Sequence, residues 1–447
     1  MKRVAIVTSY NEDCGIAYHS RCIIDIFKEM TDVKLEVVPL PVSLLCSQIA
    51  IQRKLGDKQI TELASKLGQY DAVFVQFEPG LYGLQLNDIY SRLDLILSKV
   101  KQGNLIVHSY TPMNQIISWR QIAWRFARLK IETGIKAALF GFQFKKEDKF
   151  WRTFAKKHKN ISILTLNLPD EKYFRTCYNI SNVNTYPIVY FTENKIAQFQ
   201  KDFPREKTLK QYGLDPNKKY LGVFGFLSPY KGHLTVIKAL EYLDDGYEVV
   251  IVGAEHPRGL TANTDISGYV QQLLHFSEYN PEDETGQVAN DKGYLSLLKK
   301  EETLFEDSSF KHFMPKKYIG ERVKFVGAPT DEEMPAFFNA MDYVILPYIQ
   351  TSTGQAASGP AAFALEFRCK TLFSNASVFR NLEHFYRGGM NFFNVGNFKE
   401  LALKVDTYSE KEEVIQANLA KALETYNPAG MIKAFTHTLD FDIEVKK

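Results

Sequence analysis

The sequence predicts an α/β protein made of two Rossmann-like domains. Three observations predict it. Short β-branched runs alternate with segments of helical length, as parallel βαβ units require. The alternation stops and begins again in the second half of the chain. Between the halves lies a polar stretch carrying two prolines, TENKIAQFQKDFPREKTLKQYGLDPNKK at residues 192–219.

In the first half, Val4–Thr8, Val33–Val38, Ala72–Gln76, Asn104–His108 and Ile161–Leu166 read as buried strands. In the second half, Tyr220–Phe226, Glu248–Gly253, Val323–Gly327, Tyr343–Leu346 and Thr371–Ser374 repeat the pattern. A chain of 447 residues has room for two domains of ordinary size. The expected division is a first domain over 1–195, a linker over 196–219 and a second domain over 220–425. A tail over 426–447 is expected to pack back on the first domain. Each half opens alike, with a strand, a glycine-containing loop and a helix: VAIVTSYNEDCGIAYHSRCIIDIF and YLGVFGFLSPYKGHLTVIKALEYL. Residues 256–320 exceed what a simple crossover needs and read as an insertion. Within it Tyr279–Gly293 is acidic and polar, and Leu295–Phe305 has a helical pattern. The insertion is either a surface excursion or a site for a partner or acceptor.

Composition narrows the class. Hydrophobic residues make up 45% and charged residues 24% of the chain, as in globular proteins with full cores. A formal net charge of +3 gives no argument for nucleic acid. The opening MKRVAIVTSYNEDCG does not read as a signal peptide, because its apolar run is only a strand long. No uninterrupted apolar stretch reaches the ~18 residues of a membrane span. Five scattered cysteines, an odd number without paired short spacings, argue against a disulfide framework and a zinc site. Reduced thiols and a cytoplasmic location are expected.

Three loops carry candidate chemistry. The first, Asn11–Ala17, holds Gly15 between a strand and a helix, where backbone can approach a ligand and the helix N-terminus favours an anion. It lacks the three spaced glycines of a dinucleotide fingerprint, which counts against a nicotinamide enzyme. The second runs from Gly225 to Gly232, with Lys231 at the entrance to a helix. There a cation and helix amides can converge on one phosphate, although a loop lysine is more often a solvated surface charge. It is not a Walker loop. The third, Thr351–Pro360, includes Thr353, Gly354, Ser358 and Gly359 and leads into a helix at Ala361–Arg368. Small hydroxyl residues and glycines at a helix start suit a diphosphate, and equally suit an ordinary cap.

These pieces, in this order, resemble the retaining glycosyltransferases of GT-B fold in the large family four group. The resemblance is carried by CGIAYHS, VFVQFEPGLYG, LIVHSY, GVFGFLSPYKGHLTVIKAL, VIVGAEHP, VKFVGAPTDEEMPAFFNAMDYVILPY and SGPAAFALEF. It spans most of the chain outside 256–320. It implies two domains facing a cleft, a nucleotide diphosphate-sugar donor held mainly by the second, and an acceptor held mainly by the first. It places Gly15 and Gly225 near the donor, Lys231 on its diphosphate, Thr353, Gly354, Ser358 and Gly359 at the helix N-terminus, and His108 at the transferring sugar. Glu78 falls on the acceptor side, where an acid after a strand is also a good loop anchor. No cofactor and no metal are implied. The leaving diphosphate would be stabilised by Lys231 and helix dipoles, and its own oxygen would take the acceptor proton.

Two departures from the family pattern stand out. Phe226 occupies a position where many relatives have Arg. The family's two glutamates, separated by seven residues, are replaced by Ala356 or a neighbour and by Phe363 or Ala364. Glu366 is the one acid on that helix, and stands either as a substitute or as a surface residue.

Residues 119–159 are distinct in composition. They hold all three tryptophans (Trp119, Trp124, Trp151) and twelve Lys and Arg against three acids. Trp119, Ile122, Phe126 and Leu129 form one helical stripe; Gln121, Arg125, Arg128 and Glu132 form another. A basic amphipathic element with aromatics fits a peripheral contact with an anionic membrane at its inner face. A packed helix with a solvated basic face explains the same pattern. Nothing resembles a nucleic-acid module. The expected activity is transfer of a sugar to a glycan or lipid-linked acceptor. A sugar-nucleotide epimerase or phosphorylase of the same fold, or a non-catalytic glycan- or partner-binding relative, are the alternatives.

Overall fold

The computed structural model describes residues 2–10, 12, 14–108, 119–143, 145–255, 268–278, 318–349 and 357–446. The chain divides into two compact units. The first comprises Met1–Thr192, Thr353–Gly359 and Thr425–Lys447; the second comprises Glu193–Ser352 and Pro360–Glu424.

The first unit is built on a six-stranded sheet of order β2-β1-β3-β4-β5-β6. Its strands are β1 (Val4–Thr8), β2 (Leu35–Pro39), β3 (Ala72–Phe77), β4 (Gly103–Val107), β5 (Ile161–Thr165) and β6 (Val183–Thr185). Every pairing is parallel, with Ile6 opposite Phe74 and Val75 opposite Leu105. Side chains alternate between faces with period two. Ala5, Val7, Val73, Val75 and Val107 enter one buried cluster. Val4, Ile6, Phe74, Ile106 and Leu164 enter the other. Such two-sided burial explains the near-continuous apolar runs in the sequence.

Helices cover both faces: α1 (Gly15–Met30), α2 (Val42–Leu45), α3 (Ala50–Leu67), α4 (Pro79–Tyr82), α5 (Leu86–Leu97), α6 (Trp119–Ala127), α7 (Ile131–Gln143), α8 (Lys145–Lys157) and α9 (Leu168–Cys177). α1 starts after Cys14, whose backbone is extended and whose sulfur accepts the Ala17 N–H at 3.4 Å. Its Ile23, Ile26 and Phe27 pack on the same face as Met431, Ile432 and Phe435 of the helix Pro428–Thr436. The Asn104 amide donates to the Phe435 carbonyl, and Ser162 Oγ meets Thr438 Oγ1 at 2.9 Å.

The second unit starts with α10 (Glu193–Asp202) and α11 (Arg205–Gln211). The stretch expected as a linker, 196–219, thus contains helical segments. The Arg205 guanidinium bonds the Pro216 and Lys218 carbonyls and the Asp342 carboxylate, joining this segment to the sheet. The sheet has six parallel strands in the order β12-β11-β10-β7-β8-β9. They are β7 (Lys219–Phe224), β8 (Tyr247–Val252), β9 (Val323–Gly327), β10 (Tyr343–Leu346), β11 (Thr371–Ser374) and β12 (Asn391–Phe393). α12 (His233–Ala239) and α13 (Gly268–Glu278) pack Leu234, Ile237 and Leu273 onto Val249 and Ile251.

Two strands were not expected from sequence, β6 and β12, each only three residues long. The helix expected over Ala361–Arg368 runs from Gly359 to Glu366. Leu295–Phe305 and Tyr279–Gly293 lie outside the described residues. Trp151 corrects the reading of 119–159 as one interfacial element: it is fully buried among Phe77, Tyr90 and Phe174. Leu129 falls beyond the end of α6, so the expected Trp119–Leu129 stripe does not continue as helix.

Candidate functional site

In open parallel sheets, ligands bind outside the carboxyl ends of the strands, where the strand order reverses direction. In the first sheet that point lies between β1 and β3, and in the second between β7 and β10. Candidate residues cluster at both points.

In the first unit, β1 leads through Thr8 and Ser9 to the start of α1. Thr8 Oγ1 and Ser20 Oγ lie 2.6 Å apart, tying the strand end to the helix. A Cβ placed on Gly15 would meet nothing within 4 Å, so the helix start opens onto free space. The first turn leaves N–H groups without intrahelical partners and carries no acidic side chain, a combination that favours an anion.

β3 ends in Gln76 and Phe77 and is followed by Glu78. Gln76 is fully buried, and its carbonyl accepts the Tyr82 hydroxyl at 2.8 Å. Glu78 is half-buried, and its carboxylate curls over Gly80, where a Cβ would stand 2.7 Å from Oε2.

His108 follows β4, its N–H donating to the Phe77 carbonyl at 2.9 Å. Its ring is buried, and its Nε2 is bonded to Gln76 Oε1. A carbonyl oxygen opposite Nε2 makes that nitrogen the protonated one. His19 of α1 meets the His108 ring edge-on, with centroids 5.7 Å apart, and meets Tyr190 at 5.2 Å. Burial, helped by the neighbouring His19, pulls the His108 pKa down to about 3. Burial pulls His19 down to about 4. Both rings are therefore neutral near pH 7. A neutral imidazole suits hydrogen bonding to a sugar hydroxyl rather than pairing with phosphate charge.

In the second unit, glycines pack the strand ends closely. Gly225 follows β7 with φ +114°, and its N–H donates to the Val252 carbonyl at 3.0 Å. A Cβ on Gly253 would stand 2.0 Å from the Gly225 carbonyl oxygen. The chain then turns through Pro229–Lys231 to Gly232, at φ +69°, which opens α12. A Cβ on Gly232 would stand 2.0 Å from the Pro347 carbonyl oxygen, and the Ile349 N–H donates to the Tyr230 carbonyl at 2.8 Å. The loop after β7 is thus stitched to the segment after β10.

Lys231 is the charged residue at this point, and it is buried rather than solvated. Its Nζ donates to the Tyr348 hydroxyl and lies 4.2 Å from that ring's centroid. Ser374 Oγ holds the Tyr348 carbonyl at 2.7 Å. Burial pushes the Lys231 pKa down, opposed by Tyr230. Phe226, beside it, supplies no second cation.

Ser358 is buried and precedes the helix Gly359–Glu366. Glu366 is buried too, so it is no surface residue. It closes that eight-residue helix, roughly 10 Å along the axis from Gly359. The structure therefore does not bring Glu366 and Ser358 to the same end. Thr353 and Gly354 lie outside the described residues. The residues missed from sequence are Gln76, His19, Tyr348 and Ser374. Each is an ordinary core residue by pattern, and only tertiary packing brings it to its partner.

No protein-family model and no curated protein matches the chain. Solved structures do match over nearly the full length. Anabaena HepE in complex with UDP is 14% identical, covers 98% of this chain and 99% of its own, and superposes with a TM-score of 0.53. Sucrose-phosphate synthase from Thermosynechococcus elongatus is 11% identical over 98% and 99%, with a TM-score of 0.59. WaaG, a glycosyltransferase involved in lipopolysaccharide biosynthesis, is 14% identical over 97% and 99%, with a TM-score of 0.51. The two parallel six-stranded sheets with their covering helices are the α/β fold of GT-B glycosyltransferases.

Proposed function

We propose that the chain is a retaining glycosyltransferase. It moves a sugar from a nucleotide diphosphate-sugar to a hydroxyl of a glycan or lipid-linked acceptor, at the cytoplasmic face of a membrane. The observation that carries the reading is Lys231, a buried cation at the reversal point of the second sheet. An ammonium in low dielectric is costly unless an anion meets it. A diphosphate leaving group is such an anion, and its developing charge is what a fixed cation stabilises. HepE, of the same fold, has been solved with UDP-glucose, which supports a uridine donor.

In this reading Lys231 meets the diphosphate charge in the second unit, and the open helix start at Gly15 is a separate anion-favouring point of the first. Neutral His108, held by Gln76, hydrogen-bonds the transferring sugar, and Glu78 binds the acceptor. Glu366 stands apart from the diphosphate and is the candidate for the nucleoside end of the donor. The test is incubation of purified protein with a panel of UDP-, GDP- and ADP-sugars and simple glycoside acceptors. Release of nucleoside diphosphate with a glycoside retaining the donor's anomeric configuration is the expected result. Inverted product removes the retaining assignment. Interconversion of donor sugars, or binding without turnover, overturns the transfer reading.

A further inference from the structure

Large apolar side chains at the surface are concentrated in one place. Among the described residues sixteen are exposed, and six of these fall within 124–139: Trp124, Phe126, Leu129, Ile131, Ile135 and Leu139. The segment is a helical hairpin, α6 and α7, joined by Arg128–Lys130. Phe126 packs across Gly134, where a Cβ would stand 3.0 Å from its ring, so the two helices touch through this pair. Ile131, Ile135 and Leu139 follow at intervals of four and form one stripe along α7. Leu129 at the turn is 84% exposed and is held at φ +56°, a left-handed backbone that strains a leucine. A contiguous apolar ridge of this kind marks an interaction surface.

Positive charge is interleaved with the ridge. Arg125, Arg128, Lys130 and Lys136 accompany a single acid over α6 and α7, Glu132, which pairs with Lys136 at 2.6 Å. The Arg128 guanidinium lies 4.2 Å over the Trp124 ring. Where α7 ends, α8 opens with Lys145, and a hollow of about 640 Å³ lies beside it. Lys145, Lys146 and Lys149 line it together with Leu84 and Asn87. Buried Trp151, its Nε1 donating to Tyr90 Oη at 3.4 Å, fastens α8 to the core behind those lysines.

We propose that the α6–α7 hairpin and the lysine-lined hollow form one docking surface for an anionic phospholipid bilayer. The apolar ridge enters the interfacial layer, and the lysines of the hollow meet headgroup phosphates. Charge decides the occupant. A second copy would set one basic face against another, and an apolar protein partner would leave the interleaved cations unmatched. An anionic bilayer supplies both an apolar interior and phosphate charge. No described helix is long and apolar enough to cross a membrane, so this contact is a peripheral one for the described residues. It rests on the membrane location in the proposed function, and vesicle binding, which needs no turnover, tests it separately from glycosyl transfer.

The test uses the full chain with phosphatidylcholine vesicles, with and without phosphatidylglycerol. Co-sedimentation is expected only with the anionic vesicles, to weaken with added salt, and to be accompanied by a blue shift of Trp124 emission that is absent in Trp124→Phe. Leu129→Ser with Leu139→Ser lowers partitioning at least tenfold. Lys145→Gln with Lys146→Gln and Lys149→Gln lowers it by about a hundredfold. Leu129, Leu139, Lys145 and Lys149 are exposed and Lys146 is half-buried, and unchanged melting temperatures confirm that the variants fold. Wild-type protein that ignores anionic vesicles at low salt overturns the proposal. So does a wild-type dimer that the Leu129→Ser, Leu139→Ser variant converts to monomer, since a second copy then covers the ridge.

Discussion

The ammonium of Lys231 donates to the hydroxyl of Tyr348, 117 residues further along the chain. The bond joins the loop after β7 to the segment after β10, the two strands between which the second sheet reverses. A cation is thereby held in place before any anion arrives. Preorganisation of this kind lowers the cost of binding and of stabilising a leaving group.

Removing that cation is expected to separate function from stability. Lys231→Met keeps the length of the side chain and removes the charge. Because burial depresses the Lys231 pKa, the charged form costs stability at neutral pH. Lys231→Met is therefore expected to melt at the same or a higher temperature. Loss of a charge-assisted hydrogen bond of ~1.5–3 kcal/mol weakens UDP binding roughly tenfold to over a hundredfold. Calorimetric titration and a thermal melt check both halves. A variant that loses stability but binds UDP normally makes Lys231 a structural residue.

Gly225→Ala tests the space beneath the lysine. A Cβ there would stand 2.9 Å from Lys231 Nζ, on backbone at φ +114° that side chains rarely adopt. The strain is worth ~1–3 kcal/mol. Denaturant unfolding is expected to show that loss, and UDP affinity to fall with it as Nζ is displaced. Wild-type affinity in the alanine variant would show that Nζ does not touch the nucleotide.

The His108–Gln76 pair predicts a different kinetic signature. Gln76→Leu keeps volume on β3 but removes the oxygen that holds Nε2. Turnover is expected to fall at least tenfold while UDP affinity changes by less than about twofold, since the ring is assigned to the sugar. With the His108 pKa near 3, the turnover profile carries no inflection from this residue between pH 6 and 8. Equal losses of melting temperature and turnover would mark the pair as packing only.

Glu147 on α8 offers a pH test of stability. Burial raises its pKa to about 7, above the 4.5 of an exposed glutamate. The unfolded chain loses this proton first as pH rises. The stabilising contribution is complete below pH 4.5 and is lost on passing upward through about 7. The loss is on the order of 3 kcal/mol. Glu147→Gln is expected to abolish it, so wild type and variant diverge progressively from pH 5 to 8 in unfolding experiments. Parallel curves would mean that Glu147 ionises freely in the folded state.

The sequence by itself determined the two-fold repetition of βαβ units, ten of the twelve strands to within about two residues, and the loops that carry Gly15, Gly225, Lys231 and His108. These features are local: burial on both faces writes continuous apolar runs, and turns need glycine at particular positions. Only the tertiary structure decided which strands lie side by side. That order sets β10 against β7, and with it Tyr348 against Lys231; it also sets β3 against β4, and with it Gln76 against His108. Both partnerships join residues far apart in the chain, so no short window of sequence contains them. The same holds for the tryptophans. Composition grouped Trp124 and Trp151 as one basic aromatic element, yet Trp151 sits in the core and Trp124 is half exposed. Periodicity shows that a helix has an apolar face, and only packing shows whether anything covers it.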